Sequence, residues 1–240
     1  EQMAVFYLIR HGQASFGKSD YDQLSLVGER QCKILGHHMR RFAPRVDALF
    51  AGTHARQQQT AELVAAGMES GSPLGTLAAF DVYDKRRVIR AYHPRVMAEV
   101  GEPRGIREED LGRDPRVFDL AFRFMIKAWM ANDPHESDPF ETFQAFCNRV
   151  CAGVEAILRT SGPKARIAVF TSGGTISALL RSVLGLSNKR TLAVNWSIYN
   201  ASVTQIYYGR SSDHHEALLM GFNNIAHLEL TGDRDLITFR

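Results

Sequence analysis

Arg10, His11 and Gly12 stand in a row directly after the apolar run at residues 3–9. A histidine beside a fixed positive charge suits attack on an anionic centre such as a phosphoryl group, and glycine at the next position lets backbone approach closely. A second turn of the same character, Ser172-Gly173-Gly174-Thr175, follows the other fully apolar run, residues 167–171. Strand, tight turn and helix in that order leave free backbone N–H groups that favour an anion. Arg56 lies near the start of a third segment, with helical pattern, from which its guanidinium can reach toward the same crevice. Together these residues describe a place for a phosphate group.

Such residues need a scaffold to converge. Residues 3–9 read as a buried strand, which puts Arg10 and His11 at a strand's carboxyl end, where open α/β sheets bind ligands. After a polar, glycine-containing loop to Leu24, Ser25 can N-cap an amphipathic helix to about Phe42, with Pro44 as its stop. Residues 46–51 read as a second short strand, and Gly52-Thr53 leads into a helix over roughly 54–66. Residues 67–75 read as a loop, 77–80 as a short apolar, strand-like piece, and 83–139 as a helical insertion with one strong helix near 117–130. Residues 140–159 carry apolar positions at helical spacing up to Ser161-Gly162-Pro163, and a helix over about 176–184 follows the second turn. Residues 201–208 and 215–220 alternate like strands that can lie antiparallel at a sheet edge. The expected fold is an α/β, three-layer α/β/α sandwich with a mostly parallel sheet of about six strands. It forms one domain over residues 1–240, with the helical insertion at about 81–139.

Composition narrows the partners. A formal charge of +3 favours small anions without calling for nucleic acid, and the clusters Arg40-Arg41 and Lys85-Arg86-Arg87 lack interleaved aromatics and read as solvated faces. No stretch has the apolar length of a membrane span, and the chain opens into its first strand without a signal peptide, so a cytoplasmic protein with no membrane partner is expected. Cys32, Cys147 and Cys151 make no closed disulfide framework and fit reduced thiols. His37-His38 and His214-His215 lack carboxylates at metal-site spacing and read as surface histidines, so no metal and no cofactor is expected. His54 reads as a pocket-lining or helix-start residue, and His93 as a loop residue. Oligomeric state leaves no sign in the sequence.

With these motifs in order, the chain resembles the histidine phosphatase superfamily, which includes cofactor-dependent phosphoglycerate mutases and many small-molecule phosphatases. The resemblance rests on residues 8–14 (Leu-Ile-Arg-His-Gly-Gln-Ala), on Arg56 with Gln59-Thr60-Ala61, on residues 170–175, on Asn200-Ala201-Ser202-Val203-Thr204, and on Phe222-Asn223 with His227-Leu228. It implies metal-free phosphoryl transfer through a phosphohistidine on His11. The attacking nitrogen would be kept neutral by a hydrogen bond at the other ring nitrogen, and Arg10 and Arg56 would clamp the phosphoryl oxygens. Gly12, Gln13, Ser172 and Gly173 would complete the phosphate site, whose ligand is a small phosphorylated molecule or inorganic phosphate.

Two departures from the pattern limit this chemistry. Members commonly carry a second histidine where Ser172 stands, and a neutral hydroxyl forgoes a charge-assisted bond worth about 1.5–3 kcal/mol. Members also usually carry a glutamate after the third strand as the acid that protonates the leaving oxygen. Alignment on Tyr83-Asp84 puts Val82 there, alignment from the strand end puts Ala79 there, and neither donates a proton. Asp81 and Asp84 are the nearby carboxylates. General acid catalysis contributes about 10²–10⁴ in rate, so weak or leaving-group-selective hydrolysis is expected and mutase activity is not. A phosphate-binding protein without turnover is the alternative. A serine hydrolase is disfavoured because Phe170 stands where a nucleophile elbow needs glycine.

Overall fold

The computed structural model describes residues 3–15, 22–43, 45–101, 115–131, 140–209 and 216–239. Six strands form one sheet: β1 (Met3–Arg10), β2 (Ala48–Ala51), β3 (Leu74–Thr76), β4 (Arg166–Thr171), β5 (Val203–Gly209) and β6 (Ala217–Asn224). The spatial order is β3-β2-β4-β1-β5-β6. The first four are mutually parallel, whereas β5 runs antiparallel to β1 and β6 antiparallel to β5. The expected mostly parallel sheet with an antiparallel edge is therefore what the chain forms.

Period-two alternation along the central strands builds the layers. Phe6 and Leu8 of β1 join Ile167 and Val169 of β4 in the core on one face, while Val5, Tyr7 and Ile9 join Ala168 and Phe170 on the other. The second face is covered by α1 (Leu26–Phe42) and α2 (Ala55–Met68) through Leu35, Met39 and Val64. The first face is covered by α3 (Lys85–Val96), α4 (Pro115–Met130), α5 (Phe143–Thr160) and α6 (Gly173–Leu184). Phe6, Leu8 and Ile9 are wholly inaccessible, and burial of each such side chain stabilises by about 1.5–3 kcal/mol. Two further helices, α7 (Asn188–Ser197) and α8 (Ala226–Glu229), complete those among the described residues.

Local signals set the boundaries. Ser25 caps α1 by accepting from the Gly28 amide at 3.1 Å, as its position predicts. Pro44, the expected stop, and His214-His215 lie outside the described residues. The α2 helix runs through Gly67 instead of ending at 66, because Gly67 packs against Gly36 of α1. A Cβ on Gly36 would come 2.8 Å from the Gly67 Cα, so the glycine serves a helix crossing and not a loop. Residues 78–80 form a 3-10 turn and not the expected strand-like piece. Three helices escaped the sequence reading: α3, α7 and the one-turn α8. The α3 helix begins on three basic residues and contains Pro94, and it is capped by Asp84, which accepts from Arg86 N at 2.9 Å and Arg87 N at 3.1 Å. It contains His93, which is therefore helical and not a loop residue. The α7 helix is only partly buried and so lacks an apolar stripe.

Candidate active site

Parallel pairing aligns Arg10 with Thr171 and Ala51 with Phe170, so β1, β2 and β4 end together. Their carboxyl ends open on a cavity of about 380 Å³. Arg10, His11, Arg56, Ser172 and Gly173 all line it, although 162 positions separate the first from the last along the chain.

His11 is 7% exposed and its backbone is pinned from three sides: its amide donates to Thr171 O at 2.8 Å, and its carbonyl accepts from Asn200 Nδ2 at 3.1 Å and Ala201 N at 3.3 Å. Its Nδ1 lies 2.7 Å from the Gly12 carbonyl, an acceptor only, so Nδ1 carries the proton. Nε2 is then a lone pair, and Arg56 Nε donates toward it at 3.3 Å. Burial, followed by the charges of Arg56 and Arg10, holds the imidazole well below its ordinary pKa and therefore neutral.

The two arginines are fixed differently. Arg56, in the first turn of α2, is 7% exposed and paired with Asp22. Arg10 extends from the end of β1, donating through Nη1 to the Ile198 carbonyl and through Nη2 to that of Phe239 at 2.6 Å. Its stem passes Gly173, where an added Cβ would lie 3.8 Å from Arg10 Cδ. Ser172 is the N-cap residue of α6, 4% exposed, and accepts from Gln57 Nε2 at 3.1 Å. The N-terminus of α6 thus opens on the cavity beside two guanidiniums, an arrangement that attracts a dianion.

Gly12 and Gln13 do not line the cavity. Gly12 is small because α1 crosses over it: a Cβ there would stand 2.7 Å from Gly28 O and 2.8 Å from Cys32 Sγ. Gln13 faces the same helix, its amide donating to Gln31 Oε1 at 2.8 Å and its side chain accepting from Ser25 Oγ at 2.8 Å. His54 is the N-cap residue of α2 and is likewise absent from the lining.

Between the two alignments for the missing acid, only Val82 faces the cavity. Ala79 turns toward α5, where a Cβ on Gly153 would meet it at 2.7 Å. Asp81 is occupied at the start of α2, accepting from Thr53 N at 2.5 Å and Thr53 Oγ1 at 2.6 Å, and Asp84 is the cap of α3. Neither lines the cavity.

Four polar residues of the lining escaped the sequence reading. Lys85 is solvent-exposed, as its basic cluster predicts, yet it also lines the cavity, where desolvation and then the charges of Arg56 and Arg10 pull its ammonium down to about 8. Asp119 and Arg123 on α4 form an ion pair at 3.3 Å, and the Arg123 guanidinium lies 4.7 Å from the centre of the Trp196 ring. Asn195 joins them from α7, and Phe118, Phe122 and Trp196 make the outer wall aromatic. No short-range motif marks these residues; they meet only because α4 and α7 fold over the strand ends. Among the described residues no three His, Cys, Asp or Glu side chains gather as a metal site, and no helix is long and apolar enough to cross a membrane.

The pattern of the histidine phosphatase superfamily (branch 1) matches residues 6–81 and 100–219. No curated protein matches the chain in sequence. Among solved structures, a mycobacterial hydrolase superposes with a TM-score of 0.65 at 16% identity, with 97% of each chain covered. A phosphoglycerate mutase from Bacillus anthracis gives 0.63 at 17%, covering 97% of this chain and 98% of that one. A mycobacterial glucosyl-3-phosphoglycerate phosphatase gives 0.65 at 16%, covering 93% and 100%, and has also been solved with inorganic phosphate. At these identities the likeness establishes the fold.

Proposed function

The chain belongs to the histidine phosphatase superfamily, and from that premise we propose that it hydrolyses small phosphate monoesters through a covalent phosphohistidine on His11, without metal or cofactor. The observation that carries this reading is the tautomer of His11. With Nδ1–H held by the Gly12 carbonyl, a neutral Nε2 lone pair is presented between Arg56 and Arg10. The Nε2 pair forms the N–P bond, the ester P–O pair leaves with the alcohol oxygen, and water then cleaves the N–P bond to give phosphate. Arg10, Arg56 and the N-terminus of α6 stabilise the charge that spreads over the equatorial oxygens, with no reorganisation at the moment of reaction. Hydrolysis is favoured over mutase chemistry because Val82 stands where a proton-shuttling carboxylate would, and the lining carboxylate among the described residues, Asp119, is paired with Arg123. For the same reason, and because Ser172 offers a neutral donor in place of a second histidine, turnover is weaker than a full acid and base pair would give.

Trapping tests the reading. Wild-type protein quenched during turnover of p-nitrophenyl phosphate is expected to carry an acid-labile, base-stable phosphoryl group, and His11→Asn is expected to lose at least roughly 10³-fold in kcat. The second reading, a phosphate-ligand-binding protein, draws on Val82 and Ser172. It predicts that His11→Ala alters phosphate affinity alone, because there is no turnover to lose.

A further inference from the structure

Among the described residues that line the cavity the one carboxylate, Asp119, is paired with Arg123, yet the lining also holds an amine. We propose that Lys85 is the proton donor to the leaving-group oxygen, taking the place that Val82 cannot fill; this rests on the phosphatase reading above. Lys85 lines the same cavity as His11, Arg10, Arg56 and Val82, and follows Val82 by three residues across the turn into α3.

The segment that carries it is held firmly. The Phe80 carbonyl accepts from Thr171 Oγ1 at 2.6 Å and Gln57 Nε2 at 3.3 Å. Arg149 donates to the carbonyls of Ala78, Ala79 and Asp81 at 2.8, 3.1 and 3.2 Å, and is itself fixed on Glu141 by two hydrogen bonds of 2.7 and 2.8 Å. Tyr83 anchors the turn by packing its buried ring against Trp129 at 4.6 Å between centroids. Asp84 then caps α3, which sets Lys85 at its first position, where the helix N-terminus disfavours a charged ammonium.

Among the described residues Lys85 makes no ion pair, so its proton is not committed to a carboxylate. The other candidates are committed elsewhere: Asp81 to Thr53, Asp84 to the α3 amides and Asp119 to Arg123. Although solvent-exposed, Lys85 lines the cavity with Arg10 and Arg56, and desolvation with these two guanidiniums brings its ammonium from 10.5 to about 8, a better acid than an ordinary lysine that is still mostly protonated at neutral pH. As His11 Nε2 forms the N–P bond and the P–O pair passes to the ester oxygen, that oxygen takes the Lys85 proton. The neutral amine then takes a proton from the water that attacks the phosphohistidine. Phosphate leaves, and both His11 and Lys85 return to their starting states.

The test separates proton donation from simple charge. With p-nitrophenyl phosphate the leaving group departs unaided; with a primary alkyl phosphate it does not. Lys85→Met and Lys85→Arg are each expected to lower kcat/KM for the alkyl ester by about 10²-fold and that for the nitrophenyl ester by only a few-fold, since arginine keeps the charge but does not release a proton. The nitrophenyl reaction, with its trapped phosphohistidine, shows that the variants are folded. In the wild type, alkyl turnover is expected to fall as pH rises through about 8, and that limb is expected to vanish in Lys85→Met. The groups around the amine in that range are Arg10 and His11 at the end of β1, His54 and Arg56 on α2, Asp119 and Arg123 on α4, and its own neighbours Asp84 and Arg86. Equal losses on both esters, or alkyl activity restored by arginine, overturn the assignment. Absence of phosphohistidine in the wild type overturns the phosphatase reading beneath it.

Discussion

At the scale of single residues, the cavity sets the neutral His11 beside Arg10 and Arg56, with Ser172 and Val82 in place of the two residues that the family pattern usually carries. Val82 faces the cavity and packs beside the first turn of α6, where a Cβ on Gly174 would lie 3.3 Å from its Cγ2. A carboxyl group introduced there, as Val82→Glu, would stand among Arg10, Arg56 and Lys85. Those cations favour the ionised form, which cannot donate a proton, while a bound phosphate dianion offsets part of their field. The expected gain is therefore about tenfold in kcat/KM for alkyl phosphates, short of the 10²–10⁴ that a well-tuned acid provides, with nitrophenyl phosphate unchanged. Steady-state comparison of the two esters measures it, and a variant with no alkyl gain would show that position 82 does not face the leaving oxygen. Arg10, His11 and Arg56 were legible at once, because their types and places after strands or in a first helical turn are themselves the signal. The solvated face read at Lys85-Arg86-Arg87 is there, but that Lys85 also lines the cavity was not legible, since a basic triplet at a helix start looks the same with or without a crevice beside it.

At the scale of elements, the close crossing of α1 over the loop after β1 fixes the carbonyl partner of His11. A Cβ on Gly28 would stand 2.2 Å from Gln13 O, so α1 lies against the backbone that continues from His11 and Gly12. Gly28→Ala must push the two apart. It is expected to destabilise the fold by about 1–3 kcal/mol, seen as a lower denaturant midpoint at constant slope, and to lower kcat through a displaced Gly12 carbonyl. A variant of unchanged stability would mean that α1 and the loop are free to separate. The strongly patterned elements, β1, α1, α5 and β4, were readable from period and capping residues alone. The α3 and α7 helices were not, because their apolar faces are narrow and their partners are long-range. At Gly12 the sequence shows that backbone comes close, and the structure places α1 there, with Gly12 outside the cavity lining.

At the scale of the whole molecule, two buried neutral histidines tie folding to pH. His227 is 3% exposed on α8, its ring centre 5.7 Å from that of His38 on α1, and burial, then His38, lowers it from 6.5 to about 4. His11, at the other end of the α1 layer, is depressed in the same direction. Unfolding returns each ring to its ordinary value near 6.5, so below that pH the unfolded chain binds more protons than the native one. Stability is then complete above pH 6.5 and falls as the pH drops toward 4. His227 forfeits about 1.4 kcal/mol per pH unit within that window, about 2 kcal/mol by pH 5, and His11 adds to the loss in the same direction. For a chain of this size the His227 share is a fall of roughly 4–8 °C in Tm between pH 7.5 and pH 5. Thermal unfolding at the two pH values, for wild type and His227→Gln, measures it: the variant is expected to start less stable and to lose that share of the pH dependence. A wild-type Tm that stays level across the interval would mean that His227 and His11 are protonated in the native state, and a protonated His11 has no lone pair with which to attack phosphorus.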